Sequence, residues 1–395
     1  MKTNESIGVP PVKEALERYD DVRAVLRALA PDEPVYCIYP RIYRREAKRF
    51  LSGFPGRVLY AVKANNHPDV LRCLLEAGIR HFDCASLPEV EQVRTLSEDA
   101  TCYFMNPVRL PGAAATAYRL HGVRHFVVDH AAGLDLLRDE IDVGGCVVFA
   151  RMAVSHRAAR MDLSSKFGAS PEETVELLQS IHAAGAEAAL AFNVGSFVTS
   201  PEAYVEALAI ARDVLEALPF RLRLVDVGGG YPKAYPGFSV PSLEAYFDAI
   251  REVRRLPLTD DGELLSEPGR ALCARGLSAL TRVLLRKPGR LYLNDGMYGI
   301  FWELRFKVQP RFAARAFRDG EPLAGPMEPF LLYGPTCDSS DVLPETVDLP
   351  ADIRAGDHIE FGSVGAYSLG GRTDFNGFYS DRVVMIDGAD AAPPA

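Results

Sequence analysis

The sequence predicts an α/β protein: a closed (β/α)8 barrel, TIM-like, carrying a second and mostly antiparallel β-domain. Three observations predict it. Eight short apolar runs recur between residues 58 and 266, with helical spacing between them. Each run ends in a polar residue or a glycine. Beyond residue 270 the helical spacing fades into short strand-like segments separated by Gly, Pro and Asp. Eight strands alternating with helices favour a barrel over an open sheet.

The candidate strands lie near 58–62, 79–83, 101–105, 124–128, 146–151, 187–192, 222–227 and 263–266. Between them, Ser170-Pro171-Glu172-Glu173 offers an N-cap, a proline at the first helical position and a capping-box glutamate. Val175, Leu178 and Ile181 continue as an apolar stripe. Ser200-Pro201 opens another helix, with Tyr204, Val205, Leu208, Val214, Leu215 and Leu218 near one face. The β-domain strands are expected near 275–286, 291–294, 303–309, 329–333 and 358–361. The expected organisation is an N-terminal segment 1–38 joining the β-domain, a barrel over 39–270, a β-domain over 271–387 and a disordered Ala- and Pro-rich tail over 388–395.

Composition bounds the function. The chain has 395 residues, 48% apolar and 25% charged, as in soluble globular proteins. A barrel of this kind uses about 250 residues, which leaves room for a second domain. The net charge is -9 with no basic block, which argues against nucleic acid and is compatible with a cationic substrate. The cysteines are Cys37, Cys73, Cys84, Cys102, Cys146, Cys273 and Cys337, with no C-x-x-C pair. That excludes a zinc knuckle and points to reduced thiols in a cytoplasmic protein. No run resembles a signal peptide or approaches membrane-spanning length.

In such barrels the chemistry sits at the C-terminal strand ends. Those ends read Lys63, Asp83, Asn106, Asp129, Arg151, Asn193, Gly228-Gly229-Gly230 and Glu267. Lys63 alone reads as a solvated lysine or as an amine able to attack a carbonyl; burial at the barrel mouth is expected to lower its pKa. Gly228-Gly229-Gly230 lets backbone N–H groups approach an anion, and equally suits a sharp turn. Glu267-Pro268-Gly269-Arg270 adds an amide and a guanidinium suited to phosphate, or a structural ion pair. In the β-region, Gly334-Pro335-Thr336-Cys337-Asp338 sets a thiol beside a carboxylate, and Asn294-Asp295-Gly296 is a carboxylate in a turn. Alone, the first reads as well as a buried small residue, and the second as a simple turn.

Taken in order, Tyr60-Ala61-Val62-Lys63-Ala64-Asn65, Phe82-Asp83-Cys84-Ala85-Ser86, Lys166-Phe167-Gly168, Asp226-Val227-Gly228-Gly229-Gly230-Tyr231-Pro232, Glu267-Pro268-Gly269-Arg270, Asn294-Asp295-Gly296, Gly334-Pro335-Thr336-Cys337-Asp338 and Gly365-Ala366-Tyr367 resemble the fold-type III pyridoxal-phosphate-dependent decarboxylases, in the ornithine decarboxylase branch. The resemblance implies an alanine racemase-like arrangement of barrel and β-domain, with pyridoxal 5'-phosphate as cofactor. It implies that Lys63 holds the cofactor as a Schiff base and that Glu267 pairs with the pyridine nitrogen. Ser196, Gly228, Gly229, Gly230, Gly269, Arg270 and Tyr367 would hold the phosphate. Asp83, Glu89 and Arg151 would support the site. Cys337 would reprotonate the α-carbon, and Asp295 and Asp338 would bind the distal ammonium of the substrate, with Tyr298 nearby. A homodimer with shared active sites is implied, Cys337 and Asp338 reaching the partner's lysine.

Two stretches depart from the pattern. Phe192-Asn193-Val194-Gly195-Ser196 has asparagine where the family has a histidine stacked on the cofactor ring. Tyr298-Gly299-Ile300-Phe301-Trp302 carries the sole tryptophan, either reshaping the substrate cleft or filling the β-domain core. The expected activity is α-decarboxylation of a basic amino acid, L-ornithine first. Lysine, arginine, or an unusual or tethered amino acid are the alternatives, followed by a non-catalytic regulator or a racemase.

Overall fold

The computed structural model describes residues 15–253, 256–306 and 311–394. All eight expected strands form: β1 (Arg57–Ala61), β2 (His81–Cys84), β3 (Thr101–Phe104), β4 (His125–Val128), β5 (Val147–Met152), β6 (Glu187–Phe192), β7 (Leu224–Asp226) and β8 (Glu263–Ser266). They pair in parallel and close on themselves, with β8 against β1 and β6 against β7. Side chains alternate across each strand. One set, including Leu59, Tyr103, Val127, Phe149, Ala189, Leu224 and Leu265, packs as a core of its own. The alternate set, including Tyr60, Phe82, Phe126, Val148, Leu190 and Val225, joins the helices in a larger core. Both faces are therefore buried, which is why these strands read as unbroken apolar runs.

The helix signals hold. Helix Pro171–Ala183 carries a full capping box: Ser170 Oγ accepts from Glu173 N at 3.2 Å, and Glu173 accepts from Ser170 N at 2.8 Å. Helix Glu202–Glu216 follows Pro201 and buries Tyr204, Leu208, Val214 and Leu215, while Val205 and Leu218 are half-buried.

The β-domain takes strands from both ends of the chain. Val35–Ile38 lies between Val383–Ile386, to which it is parallel, and Leu277–Lys287, to which it is antiparallel. Leu277–Lys287 also pairs with Arg290–Leu293 and His358–Phe361. Met327–Tyr333 extends the sheet through Arg290–Leu293.

Two expectations fail here. Trp302–Phe306 is a turn of 3-10 helix rather than a strand; 307–310 lie outside the described residues. Asp295 Oδ1 accepts from the amides of Gly296 (2.8 Å) and Ile300 (3.1 Å), which curls the chain before it can extend. The tail is also placed over 388–394, with 395 outside the described residues. Ala391 packs on the β-domain core, and Arg315 donates to Ala392 O at 3.1 Å. Among the described residues, no helix is long and apolar enough to cross a membrane.

Candidate active site

A cavity of about 320 Å³ opens at the C-terminal ends of the barrel strands, within the size range of small-molecule sites. It collects Lys63, Arg151, Asn193, Ser196, Gly229, Gly230, Glu267, Gly269, Arg270 and Tyr367. Residues far apart in the chain are fixed to one another there. Lys63 sits in the 3-10 turn Val62–Ala64 that ends β1. Tyr60 Oη donates to Asn65 O (3.0 Å), and Asn65 Nδ2 donates to Gly365 O (2.9 Å). Tyr367 N donates to Ala64 O at 2.7 Å, so the β-domain loop is tied to the lysine turn.

Lys63 Nζ donates to Asp83 Oδ2 at 2.8 Å. The lysine faces the cavity, and Asp83 is fully buried behind it. Burial favours the neutral amine, yet Asp83 and Glu267 outweigh it and hold the Lys63 pKa above its ordinary value. The expected lowering by burial is thus reversed. The carboxyl pKa values rise as well, which for an acid favours the neutral form. Burial, with Asp83 and Asp226 nearby, pushes Glu267 well above the usual carboxylate range. Burial raises Glu89 to about 7, against the bond its Oε2 accepts from Ala85 N at 2.6 Å. Asp226, at the end of β7, is likewise pushed by burial to about 7. Asp83 Oδ1 and Asp226 Oδ2 are buried with no hydrogen-bond partner. Four acidic groups share this region with two cations, Lys63 and Arg151. Such a surplus suits a ligand that brings an N–H or positive charge inward, as a protonated pyridine ring does.

The other end of the cavity suits an anion. Among the described residues, the amides of Gly229, Gly230 and Gly269 donate to no protein acceptor, so they remain available to phosphate. Gly230 has φ +104°, and a Cβ there would lie 2.6 Å from Gly195 O, so only glycine brings the backbone this close. Gly228 lies just beneath, its amide held by Asp226 Oδ1 at 2.8 Å. Arg270 lines this end but is already engaged. Its Nη1 donates to Glu303 Oε2 at 3.0 Å, and its Nη2 donates to Glu303 Oε1. Pyridoxal phosphate fits the residues present: an amine, a buried acid for the ring nitrogen and a set of amides for the phosphate.

Asn193 does not face the cavity as a bare amide. Its Oδ1 accepts from Gly195 N at 2.9 Å and shapes the turn into Ser196.

Four expected residues lie elsewhere. Cys337 is exposed, and its amide donates to Asn376 Oδ1 at 3.1 Å. Asp338 accepts from Tyr298 Oη and from Ser340 N at 2.8 Å, which holds its carboxyl below the usual range. Tyr298 stacks on Phe375, with ring centroids 4.6 Å apart. None of these lines the Lys63 cavity of the same chain. Asp295 does not reach the cavity either. It is buried, it accepts from two amides, and Tyr36 Oη donates to its Oδ2 at 2.9 Å. Its acid groups are spent on the turn, which removes it as a partner for a substrate ammonium.

Sequence reasoning missed Glu303, Met161, Leu163 and Phe306 in the cavity wall. It named Trp302, and the structure places that ring in the wall. Met161 and Leu163 follow β5, where Ala159–Met161 pairs with Ser196–Val198 as a short ribbon.

Comparison with known proteins agrees with this geometry. Residues 41–274 match the family described as Pyridoxal-dependent decarboxylase, pyridoxal binding domain. The chain is 34% identical over 342 residues to a lysine/ornithine decarboxylase of Selenomonas ruminantium, covering 84% of this chain and 83% of that protein. It is 32% identical over 368 residues to decarboxylase flvG of Aspergillus flavus, covering 88% and 84%. The arginine decarboxylase of Paramecium bursaria Chlorella virus, solved with agmatine, superposes with a TM-score of 0.82 at 26% identity, covering 92% of this chain and 98% of that one. The chain thus belongs to the pyridoxal-dependent decarboxylases.

Proposed function

We propose that the chain removes the α-carboxyl group of a basic amino acid, L-ornithine first, as a homodimer whose two sites are each built from both subunits. Asp338 is the observation that carries this reading. It is a half-buried carboxylate held charged by Tyr298 and Ser340, next to an exposed thiol. A fixed anion there selects a cationic side chain and rejects an acidic one.

Pyridoxal phosphate, when bound, supplies an electron sink for the charge left on the α-carbon. Lys63 would hold the cofactor through its side-chain amine, which faces the cavity. Asp83 orients that amine through its 2.8 Å hydrogen bond. Glu267 carries a proton toward the ring nitrogen, a role suited to a carboxyl whose burial favours the protonated form. Cys337 of one subunit delivers a proton to the α-carbon in the cavity of the other. Among lysine, ornithine and arginine, reach from Asp338 to the α-carbon selects the substrate. The match to a lysine/ornithine decarboxylase supports ornithine or lysine over arginine.

One observation favours a second reading. Trp302, Phe306, Met161 and Leu163 give the cavity an apolar side, which suits an amino acid bearing a larger apolar group. Carbon dioxide release from cofactor-loaded protein separates the two readings. Ornithine is expected to give the highest kcat/KM among ornithine, lysine, arginine, diaminopimelate and D-amino acids. Turnover of none of these, with cofactor firmly bound, would leave only the bulkier substrate.

A further inference from the structure

Glu303 is a buried acid at the anion-binding end of the cavity. Its side chain is 4% exposed. Arg270 is buried with it and framed by aromatic rings, its guanidinium 5.5 Å from the centroid of Phe197 and 5.3 Å from that of Tyr367. Nη1 also donates to Tyr235 Oη at 3.2 Å. Both terminal nitrogens are committed to Glu303, and Nε is buried with no partner. Glu303 belongs to the 3-10 turn Trp302–Phe306, and three residues of that turn, Trp302, Glu303 and Phe306, line the cavity.

A guanidinium carries five N–H donors, but its end-on fork, one N–H from each terminal nitrogen, grips either a carboxylate or a phosphate and not both at once. A phosphate at the Gly229, Gly230 and Gly269 amides brings negative charge beside a carboxylate in a water-poor site, where like charges repel strongly. We propose that Glu303 is a built-in competitor for Arg270: the phosphate of the cofactor gains the terminal nitrogens of Arg270 only by displacing Glu303, so this chain holds the phosphate more weakly than the same cavity would with a neutral residue at 303. This rests on the phosphate lying at the glycine amides. Displacing Glu303 moves the turn that carries Trp302 and Phe306, so loading at the phosphate end reshapes the apolar side of the cavity.

The test uses the full-length protein and two ligands, inorganic phosphate and pyridoxal phosphate, with pyridoxal as the phosphate-free control. Trp302 is the sole tryptophan, so intrinsic fluorescence reports directly on this turn as inorganic phosphate is titrated. Glu303→Gln keeps the shape and removes the charge. It is expected to tighten phosphate and pyridoxal phosphate by about tenfold or more, the usual scale of one charge-assisted hydrogen bond, and to leave pyridoxal unchanged. Glu303→Asp, which shortens the arm and keeps the fold's charge count, is expected to tighten both by a smaller factor. Arg270→Gln is expected to weaken phosphate binding and to cancel the gain in the double variant. If Arg270→Gln weakens binding while Glu303→Gln leaves it equal or weaker, Glu303 serves to position Arg270 and the competition is refuted, with the phosphate site intact. If Arg270→Gln changes nothing, the phosphate lies elsewhere and both readings fall.

Discussion

Cys337, the proposed proton donor, does not line the cavity of its own chain. Its thiol is exposed on the β-domain, while the cavity holding Lys63 opens at the barrel mouth. Cys337→Ala is expected to lower kcat by about 10²–10⁴-fold, the usual contribution of a placed proton donor. The visible absorbance of bound cofactor and its fixation to Lys63 by borohydride should be unchanged. An equal loss of bound cofactor would show that Cys337 supports the site rather than the proton. At this scale the sequence was informative where chemistry depends on residue type and less so where it depends on direction. Lys63 was legible as a lone polar group ending an apolar run. The rise of its pKa was not, because the cause is Asp83, brought to 2.8 Å from the next strand. Asp295 was legible as a carboxylate in a turn, but the turn folds it inward, onto amides two elements of sequence pattern cannot reveal.

The ribbon Ala159–Met161 with Ser196–Val198 forms one wall of the cavity, and its closeness depends on Gly195. That residue has φ +104°, and a Cβ there would lie 2.5 Å from Ala159 Cβ and 2.8 Å from Met161 O. Gly195→Ala should therefore part the two strands. We expect a loss of roughly 1–3 kcal/mol in stability and weaker cofactor retention, read by thermal unfolding with and without pyridoxal phosphate. Unchanged retention would mean that the ribbon does not shape the site. Elements with a strong period were legible, as the barrel strands and the capped helix Pro171–Ala183 show. Trp302–Phe306 was not. Trp302, Leu304 and Phe306 alternate with Glu303 and Arg305 as a strand would, and only the winding set by Asp295 turns them into a 3-10 helix.

For the whole molecule, the proposed homodimer predicts complementation, since Cys337 does not line the Lys63 cavity of its own chain. Lys63→Ala and Cys337→Ala subunits, each inactive alone, should regain about a quarter of wild-type activity when mixed equally and allowed to exchange. Half of the dimers are then mixed, and each mixed dimer holds one complete site. No recovery despite exchange would confine the site to one chain. The far end of the barrel sets a second global property. The rings of Tyr103 and His125 stack at 4.0 Å, with His81 at 5.9 Å from Tyr103. Burial and then Arg57 hold both histidines at about 4, and both Nδ1 atoms lack a partner. The folded protein keeps them neutral, while the unfolded chain takes up protons below about 6.5. Stability should thus fall as pH drops from about 6.5 to about 4, and no further from this source. Glu89 and Asp226, raised to about 7, act in the opposite sense, stabilising the fold at low pH and less as pH rises through 7. Comparing His125→Phe with wild type isolates the histidine: the variant should lose less stability between pH 6.5 and 4.

The sheet that joins Val35–Ile38 to Val383–Ile386 has a consequence for how the protein is made. Synthesis runs from the N-terminus, so strand Val35–Ile38 leaves the ribosome long before its partner exists. The barrel can close in the meantime, because all eight of its strands precede residue 267. The β-domain, by contrast, waits for strand Val383–Ile386. Cys337 and Asp338 ride on that late domain, so a nascent or truncated chain can present the lysine cavity without the proposed proton donor. Only a chain translated through Val383–Ile386 can bring the lysine cavity and the proposed donor into service together.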